Sequence, residues 1–301
     1  LIPVYDRYIE PFFGGGAIFF QLQPKKAIIN DICSELTDFY TLLKEGKQRE
    51  IFKKDLYDYV DNWEKIPKYI GVFENKIVKL YELYKHDEIS KTELSKQVNS
   101  ILKKEEDRFN GLFHKEFCLA EQNLLKQISS NLISKISRTR EIEKQRGKLP
   151  EGDLQKNIET AFRSGFYMHF RDVMNYNGSR FPTSLPKKIA NYYFIREFCY
   201  ASMFRFNSSG HFNIPYGGIA YNNKDFRSKV DHIFSDEVKN LFKNTIIKNQ
   251  DFEKVFNGYK FTEKDFIFLD PPYDTDFSDY EKASFDKKDQ EKVVEIIEKP
   301  N

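Results

Sequence analysis

The sequence predicts an open α/β sheet that is split along the chain by a long, mainly helical insertion. Three observations carry this. A short strand, a glycine turn and a helix open the chain, with a second apolar strand close behind. From about Gln48 to about Tyr176 the chain turns Lys- and Glu-rich, with apolar residues at helical spacing. Two more strands follow, and the last is a continuous apolar run.

In order, Tyr8-Ile9 lead into Glu10-Pro11-Phe12-Phe13-Gly14-Gly15-Gly16, and Ala17 to Leu22 read as a helix. Pro24 breaks it. Ala27-Ile28-Ile29 form the second strand, ending at Asn30-Asp31. Leu36, Phe39, Tyr40 and Leu43 share one face of a helix that starts near Ser34. In the insertion, Ile77, Leu80, Tyr81 and Tyr84, then Ile128, Leu132 and Ile136, recur at helical spacing. Gly147 to Asp153 make a turn, and Leu154 to Tyr176 resume as helix. Solvated helices account for the charge pattern of this region.

Asn177-Gly178, Pro182 and Pro186 mark a loop, and Lys187 to Phe204 read as an aromatic-rich helix. Ser208-Ser209-Gly210 form a turn between Arg205-Phe206-Asn207 and His211 to Gly217, as in a hairpin or long ordered loop. Asp236 to Lys243 are helical. Thr245 to Lys248 make the third strand, ending near Asp251-Phe252. Phe266 to Leu269 read as a central strand buried on both faces, which stops at Asp270-Pro271-Pro272-Tyr273. Lys287 to Glu298 form a final helix. By expected role the chain divides into 1–47 with 236–301, 48–153, and 154–235. It opens at Leu1, without Met and close to a strand, and stops in or just after a helix, so it reads as incomplete at both ends.

Composition narrows the class. The 301 residues are 40% hydrophobic and 31% charged, as in a soluble globular protein. No run is apolar enough to span a bilayer, and no secretory signal is visible. Cys33, Cys118 and Cys199 are far apart and make neither a zinc spacing nor a disulfide framework, which fits a reduced cytoplasmic setting. No clustered His/Cys ligand set occurs, so no metal is expected. Net charge is only +2, so any nucleic-acid binding must come from a local patch.

Asp270-Pro271-Pro272-Tyr273 carries the most chemistry. Ligands of open α/β sheets bind at the carboxyl ends of the strands. The two prolines fix the backbone and remove two amide donors, leaving carbonyls free to accept. A carboxylate and a carbonyl that accept the hydrogens of an aromatic amine favour a pyramidal nitrogen whose lone pair can attack. They act where positive charge develops in the transition state, while Tyr273 stacks on the ring. A proline-rich turn with a capping Asp is the plainer alternative. Glycines in Glu10 to Gly16 let the backbone approach a ligand closely. The pattern lacks the dinucleotide fingerprint, which argues against a nicotinamide-dependent oxidoreductase, and no P-loop Lys follows. Asp31 ends the second strand, where it could accept ribose hydroxyls or cap a helix. Asp251-Phe252 ends the third, where it could bind and stack an adenine ring.

These motifs, in this order, resemble the Dam-type, or D12 class, adenine methyltransferases. That family has an E-P-F-x-G-x-G loop, an acidic residue after the second strand, a D-F pair after the third, and the D-P-P-Y tetrapeptide. The chain also supplies R-x-N-x-x-G-x-F-N-x-P-x-G as Arg205, Asn207, Gly210, Phe212, Asn213, Pro215 and Gly217. Tyr167, Arg171 and Asn175 resemble the family's Y-x-x-x-R-x-x-x-N helix. It departs at Ala201-Ser202, where members often have Asn-Gly. It lacks the N-terminal segment with a Lys and an aromatic residue, and its region from about Gln48 to Asp153 matches no named element.

The resemblance implies a Rossmann-like S-adenosylmethionine (AdoMet) methyltransferase sheet. In it Asp270, Pro271, Pro272 and Tyr273 are catalytic. Glu10, Pro11, Phe12, Gly14, Gly16, Asp31, Asp251, Phe252 and Asp270 hold AdoMet. Double-stranded DNA is the substrate, with a cognate restriction endonuclease as a candidate partner. A paired adenine amino group is unreachable for in-line attack, so the base is expected to flip out. Arg171, Arg180, Arg205, Asn207, Asn213 and Tyr216 are the expected DNA contacts. An RNA adenine methyltransferase and a catalytically silent DNA-binding subunit are the competing readings.

Overall fold

A computed structural model describes residues 2–44, 46–106, 114–203, 205–272 and 285–298. The described elements are β1 (Arg7–Glu10), α1 (Ala17–Leu22), β2 (Ala27–Asn30), α2 (Ser34–Leu42), α3 (Lys47–Lys85) and α4 (Lys91–Lys104). After them come α5 (Lys115–Cys118), α6 (Glu121–Arg146), α7 (Asp153–Asn175), α8 (Leu185–Phe198) and α9 (Phe226–Ile233). They are followed by α10 (Asp236–Lys243), β3 (Thr245–Lys248), α11 (Phe252–Gly258), β4 (Asp265–Ile267) and α12 (Lys287–Glu298). The chain packs as two units. This division is by packing, whereas the three-way division above is by expected role.

The first unit, Leu1–Lys54, Phe204–Asn213 and Ser228–Asn301, holds a parallel sheet of order β3-β2-β1-β4. Two of its strands precede the insertion and two follow it, as the sequence predicts. Register is set by the alternation of side chains. Ile9 pairs with Ile28 and Ile267, and these share a face packed by Val255, Tyr259 and Phe261. Tyr8, one residue before Ile9, turns to the other face against Phe19 and Phe266. Phe13, Tyr40 and Phe242 extend that aromatic core, each at most 5% exposed.

β4 departs from expectation. Among the described residues it is an edge strand, as β3 is at the other side, and all three of its residues are only half-buried. It pairs with β1 on one side alone, so it lacks the burial on both flanks that its apolar run predicts. It also begins one residue earlier, because Asp265 is drawn into the ladder by Arg7, directly across from it (Nη2 to Oδ2 2.7 Å).

The second unit, Asp55–Met203 and Ile214–Arg227, is helical. Its core is aromatic. Trp63 lies 4.3 Å from Phe198 by ring centroids, under the Arg163 guanidinium at 4.4 Å. Tyr59 stacks on Phe194 and meets Phe117 and Phe170 edge-on. α6 and α7 approach closely at Gly165, where a Cβ would come within 2.5 Å of the Ile128 Cα. The expected helix from Lys187 to Phe204 ends earlier, at Phe198, where the chain turns back to pair Cys199 with Tyr216.

Candidate active site

Parallel strands bring their carboxyl ends to one edge, and the sequence loads that edge with acids. Glu10 is the last residue of β1, Asp31 follows β2, Asp251 follows β3, and Asp270 lies beyond β4. The Phe268 amide donates to the Ile9 carbonyl at 2.9 Å, carrying the pairing of β4 one residue further toward Asp270.

Between β1 and α1 the glycine turn is held from several sides. Gly14 and Gly16 have φ of 49° and 68°, conformations that favour glycine. At Gly16 a Cβ would also meet the Phe13 ring at 2.5 Å, whereas at Gly14 it would meet nothing within 4 Å. The Gly14 amide donates to Asp31 Oδ2 at 2.7 Å, and the Tyr40 hydroxyl donates to the Gly14 carbonyl at 3.0 Å. Asp31 Oδ1 accepts from the Cys33 amide at 2.8 Å. Both oxygens of Asp31 therefore fix backbone, one of them across the mouth of the turn. Asp31 is not the N-cap of α2, a place taken by Cys33.

Asn30 is a site residue that sequence reasoning passed over. It is 2% exposed, and its Nδ2 donates to the carbonyls of Pro11 (3.0 Å) and Gln250 (2.9 Å). Its Oδ1 accepts from the Gln250 amide at 3.1 Å. One amide thereby joins the loops after β1 and β3. The available signal is an amide side chain ending an otherwise apolar buried strand.

Glu10 is 3% exposed and accepts from the Tyr8 hydroxyl at 2.8 Å, its neighbour on the same strand face. Burial pushes its carboxyl up to about 7, and the charges of Asp270 and Asp31 push the same way against the Tyr8 bond. Three carboxylates thus share one field. A positively charged ligand group would relieve it.

Phe12, Phe252 and Phe285 form an aromatic cluster, with centroids 5.1 to 5.9 Å apart. Phe252 is buried, and Asp251 caps α11 through Oδ1 to the Glu253 amide at 2.8 Å. Asp270 is exposed, Pro271 half-buried, and the Pro272 carbonyl accepts from Gln290 Nε2 at 2.8 Å. Tyr273 lies outside the described residues.

The expected DNA contacts divide between the units. In the first, Arg205 and Asn213 are exposed on either side of the Phe206–Phe212 bridge. Asn207 builds the turn between them, accepting from the Ser209 and His211 amides at 3.0 and 2.9 Å. In the second, Arg180 is exposed with its guanidinium 5.3 Å from the Tyr176 ring. Arg171 is half-buried and donates to the Ile214 carbonyl. Tyr216 is 6% exposed, and its hydroxyl donates to Asn222 Oδ1 at 2.9 Å. That residue packs the interior and has no surface to offer. Among the described residues no helix is long and apolar enough to cross a membrane.

The profile of the D12 class N6 adenine-specific DNA methyltransferases matches residues 1–154 and 123–301. The chain is similar to the Type II methyltransferase M.CviBI of Paramecium bursaria Chlorella virus NC1A, with 38% identity over 101 residues (33% of the chain, 36% of the relative). It is 31% identical over 152 residues to the Type II methyltransferase M.MjaIII of Methanocaldococcus jannaschii, 48% of each. It is 28% identical over 176 residues to the Retron Ec67 DNA adenine methylase of Escherichia coli (58% of the chain, 53% of that relative). The matched stretches therefore span between about a third and about half of these curated relatives.

Proposed function

We propose, from the premise that the chain belongs to the D12 class N6 adenine-specific DNA methyltransferases, that it methylates the exocyclic amino group of adenine in duplex DNA, with AdoMet as the donor. The carrying observation is the convergence of Glu10, Asp31 and Asp270 beside the Gly14 turn. AdoMet bound there supplies a methyl group on a positive sulfur. Glu10 and Asp31 give the edge the negative charge that suits a cationic ligand, and the open space over Gly14 suits a close approach to backbone. Asp31 keeps the turn in shape and stands at the strand end where a ribose is held. Pro11, Phe12, Gly16, Asp251 and Phe252 shape the same pocket.

Asp270 has the exposure needed to meet a base that has left the helix. Its carboxylate and the Pro271 carbonyl accept the two amine hydrogens, and Pro272 fixes the backbone between that carbonyl and Tyr273, which stacks on the ring. Arg180, Arg205, Asn207 and Asn213 contact DNA. Arg171 and Tyr216 act as positioning residues within the helical unit. By role, 1–47 with 236–301 bind AdoMet, 154–235 read the target, and 48–153 form an insertion. A restriction endonuclease that cuts the same sequence is the corresponding partner, and the cytoplasm the corresponding compartment. Long-read sequencing of DNA from cells expressing the protein tests the reading. Modified adenine in a fixed sequence context supports it, and unmodified DNA from cells that make folded protein contradicts it.

A further inference from the structure

The net charge of the chain is only +2, yet its cations are not spread evenly. α3 mixes acids and bases along its whole length. α4 and the N-terminal part of α6 do not. Every exposed residue of α4 is Lys, Asn, Ser or Thr. From Gln122 to Arg138, every exposed residue of α6 is Lys, Arg, Ser or Gln. The acids of the same stretches, Glu93 and Glu121, are half-buried, and Glu93 accepts from Gln97 Nε2 at 2.8 Å.

The two helices form one face. The Ser129 hydroxyl donates to Asn99 Oδ1 at 2.5 Å, joining α6 to α4 where Asn99 is exposed. Lys96 and Lys103 stand one turn to either side of Asn99, and Lys126 one turn before Ser129, so three exposed lysines border that bond. Ser100 and Ser130, each the next residue along, are exposed there too. Lys96, Lys103, Lys126 and Arg138 form no ion pair among the described residues. Burial holds the half-buried Lys135 ammonium below the usual lysine range, and the charge of Arg138, one turn on, pushes the same way. A face charged in this way repels itself, and an anion laid along it relieves the repulsion.

We propose that the exposed face of α4 and α6, centred on Lys96, Lys103 and Lys126, binds the phosphate backbone of duplex DNA independently of sequence. The inference rests on the DNA reading above and gives the insertion a part in it. Ammonium, guanidinium, hydroxyl and amide groups are the side chains that reach phosphate oxygens, and such contacts carry no sequence information. A helix face that is merely solvated has no need to exclude acids. The exposed Glu64 and Lys65 of α3 show the mixed pattern that solvation alone leaves. Because the chain as a whole is close to neutral, the charge that attracts DNA must be local, and this face concentrates it.

The test compares the protein with the triple variant Lys96→Gln, Lys103→Gln, Lys126→Gln. A control of equal charge change carries Lys65→Gln, Lys68→Gln and Lys79→Gln, all exposed on α3. Binding is titrated over a range of salt on two labelled duplexes of equal length, one with the methylated sequence that long-read sequencing identifies and one without it. Each phosphate contact contributes about 0.9 to the slope of log affinity against log salt. The first variant is expected to lower that slope by about two to three. Its affinity should fall by a similar factor on both duplexes, at least about tenfold at roughly 0.1 M salt. AdoMet affinity holds and melting does not fall, since the side chains are exposed, and the control keeps the native slope. An unchanged slope in the first variant overturns the proposal. So does an equal drop in the control, which assigns the effect to net charge rather than to this face, and so does a loss confined to self-association, which assigns the face to a second copy of the chain. If the unaltered protein binds neither duplex, the functional reading falls first and this proposal with it.

Discussion

The Asp31 carboxylate holds the Gly14 amide at 2.7 Å, tying the end of β2 to the glycine turn after β1. This bond makes two motifs, separate in sequence, parts of one site. Asp31→Ala leaves that amide and the Cys33 amide without their acceptor. Charge-assisted bonds to backbone carry about 1.5–3 kcal/mol each. Denaturant unfolding should show a loss of about 2–3 kcal/mol, and AdoMet titration a loss of at least about tenfold in affinity, a change of one 1.4 kcal/mol step. Unaltered stability would mean that the turn holds its shape without Asp31.

Glu10 gives the site a pH signature. Its carboxyl rises from an ordinary 4.5 to about 7 on folding, through burial first. The folded state then binds the proton more tightly than the unfolded chain. Its contribution to stability is full below about 4.5 and is lost as pH rises through about 7. The loss is on the order of 3 kcal/mol at most. Unfolding measured from pH 4.5 to 8 should show this fall in the native protein and a flatter profile in Glu10→Gln. In the same window, AdoMet binding should tighten with rising pH, because a cationic ligand favours ionised Glu10.

Gly16→Ala meets two obstacles, a φ of 68° and a Phe13 ring 2.5 Å from the new Cβ. The expected cost is roughly 2–4 kcal/mol, with AdoMet binding lost alongside. Gly14→Ala has the strained φ of 49° but open space. It should cost about 1–2 kcal/mol. Thermal melting of both variants checks the order.

Arg205→Ala is expected to weaken DNA binding or relax sequence choice by about 1–3 kcal/mol, with AdoMet affinity and melting unchanged, since its side chain is exposed. Arg171→Ala should lower the melting temperature instead, because that guanidinium holds the Ile214 carbonyl. Titration of both variants at one salt concentration separates the contact from the positioning residue.

Ala201 and Ser202, in the turn that follows α8, have φ of 53° and 54°, and replacing them with Asn-Gly suits both values. Stability should rise by about 1 kcal/mol, the left-handed cost relieved less the extra freedom of Gly in the unfolded chain. A destabilised double variant would show that the turn is not strained.

Much of this was legible in the sequence, because short apolar runs stopped by Gly, Asp or Pro leave few alternatives. The four strands and their division around the insertion follow from Tyr8-Ile9, Ala27-Ile28-Ile29, Thr245 to Lys248 and the run at Phe266. The clustering of Glu10, Asp31 and Asp270 follows from strand ends alone. What stayed hidden depends on partners distant in sequence. The Asn30 clamp spans 220 residues to Gln250. Phe266 to Leu269 reads as a central strand by composition, yet edge position depends on what pairs beyond it. Tyr216 sits among exposed Asn and Arg in sequence, and only packing against Trp63, Tyr167 and Phe198 turns it inward.

The central claim is that Asp270 and its neighbours move a methyl group to adenine. The most direct measurement incubates the protein with methyl-labelled AdoMet and duplex DNA, digests the DNA to nucleosides, and identifies the labelled one. The same is done with Asp270→Ala, alongside an AdoMet titration. The account predicts label in N6-methyladenine alone from the unaltered protein, and none from Asp270→Ala despite near-normal AdoMet binding. Label in another base, or near-normal turnover by Asp270→Ala, would contradict it.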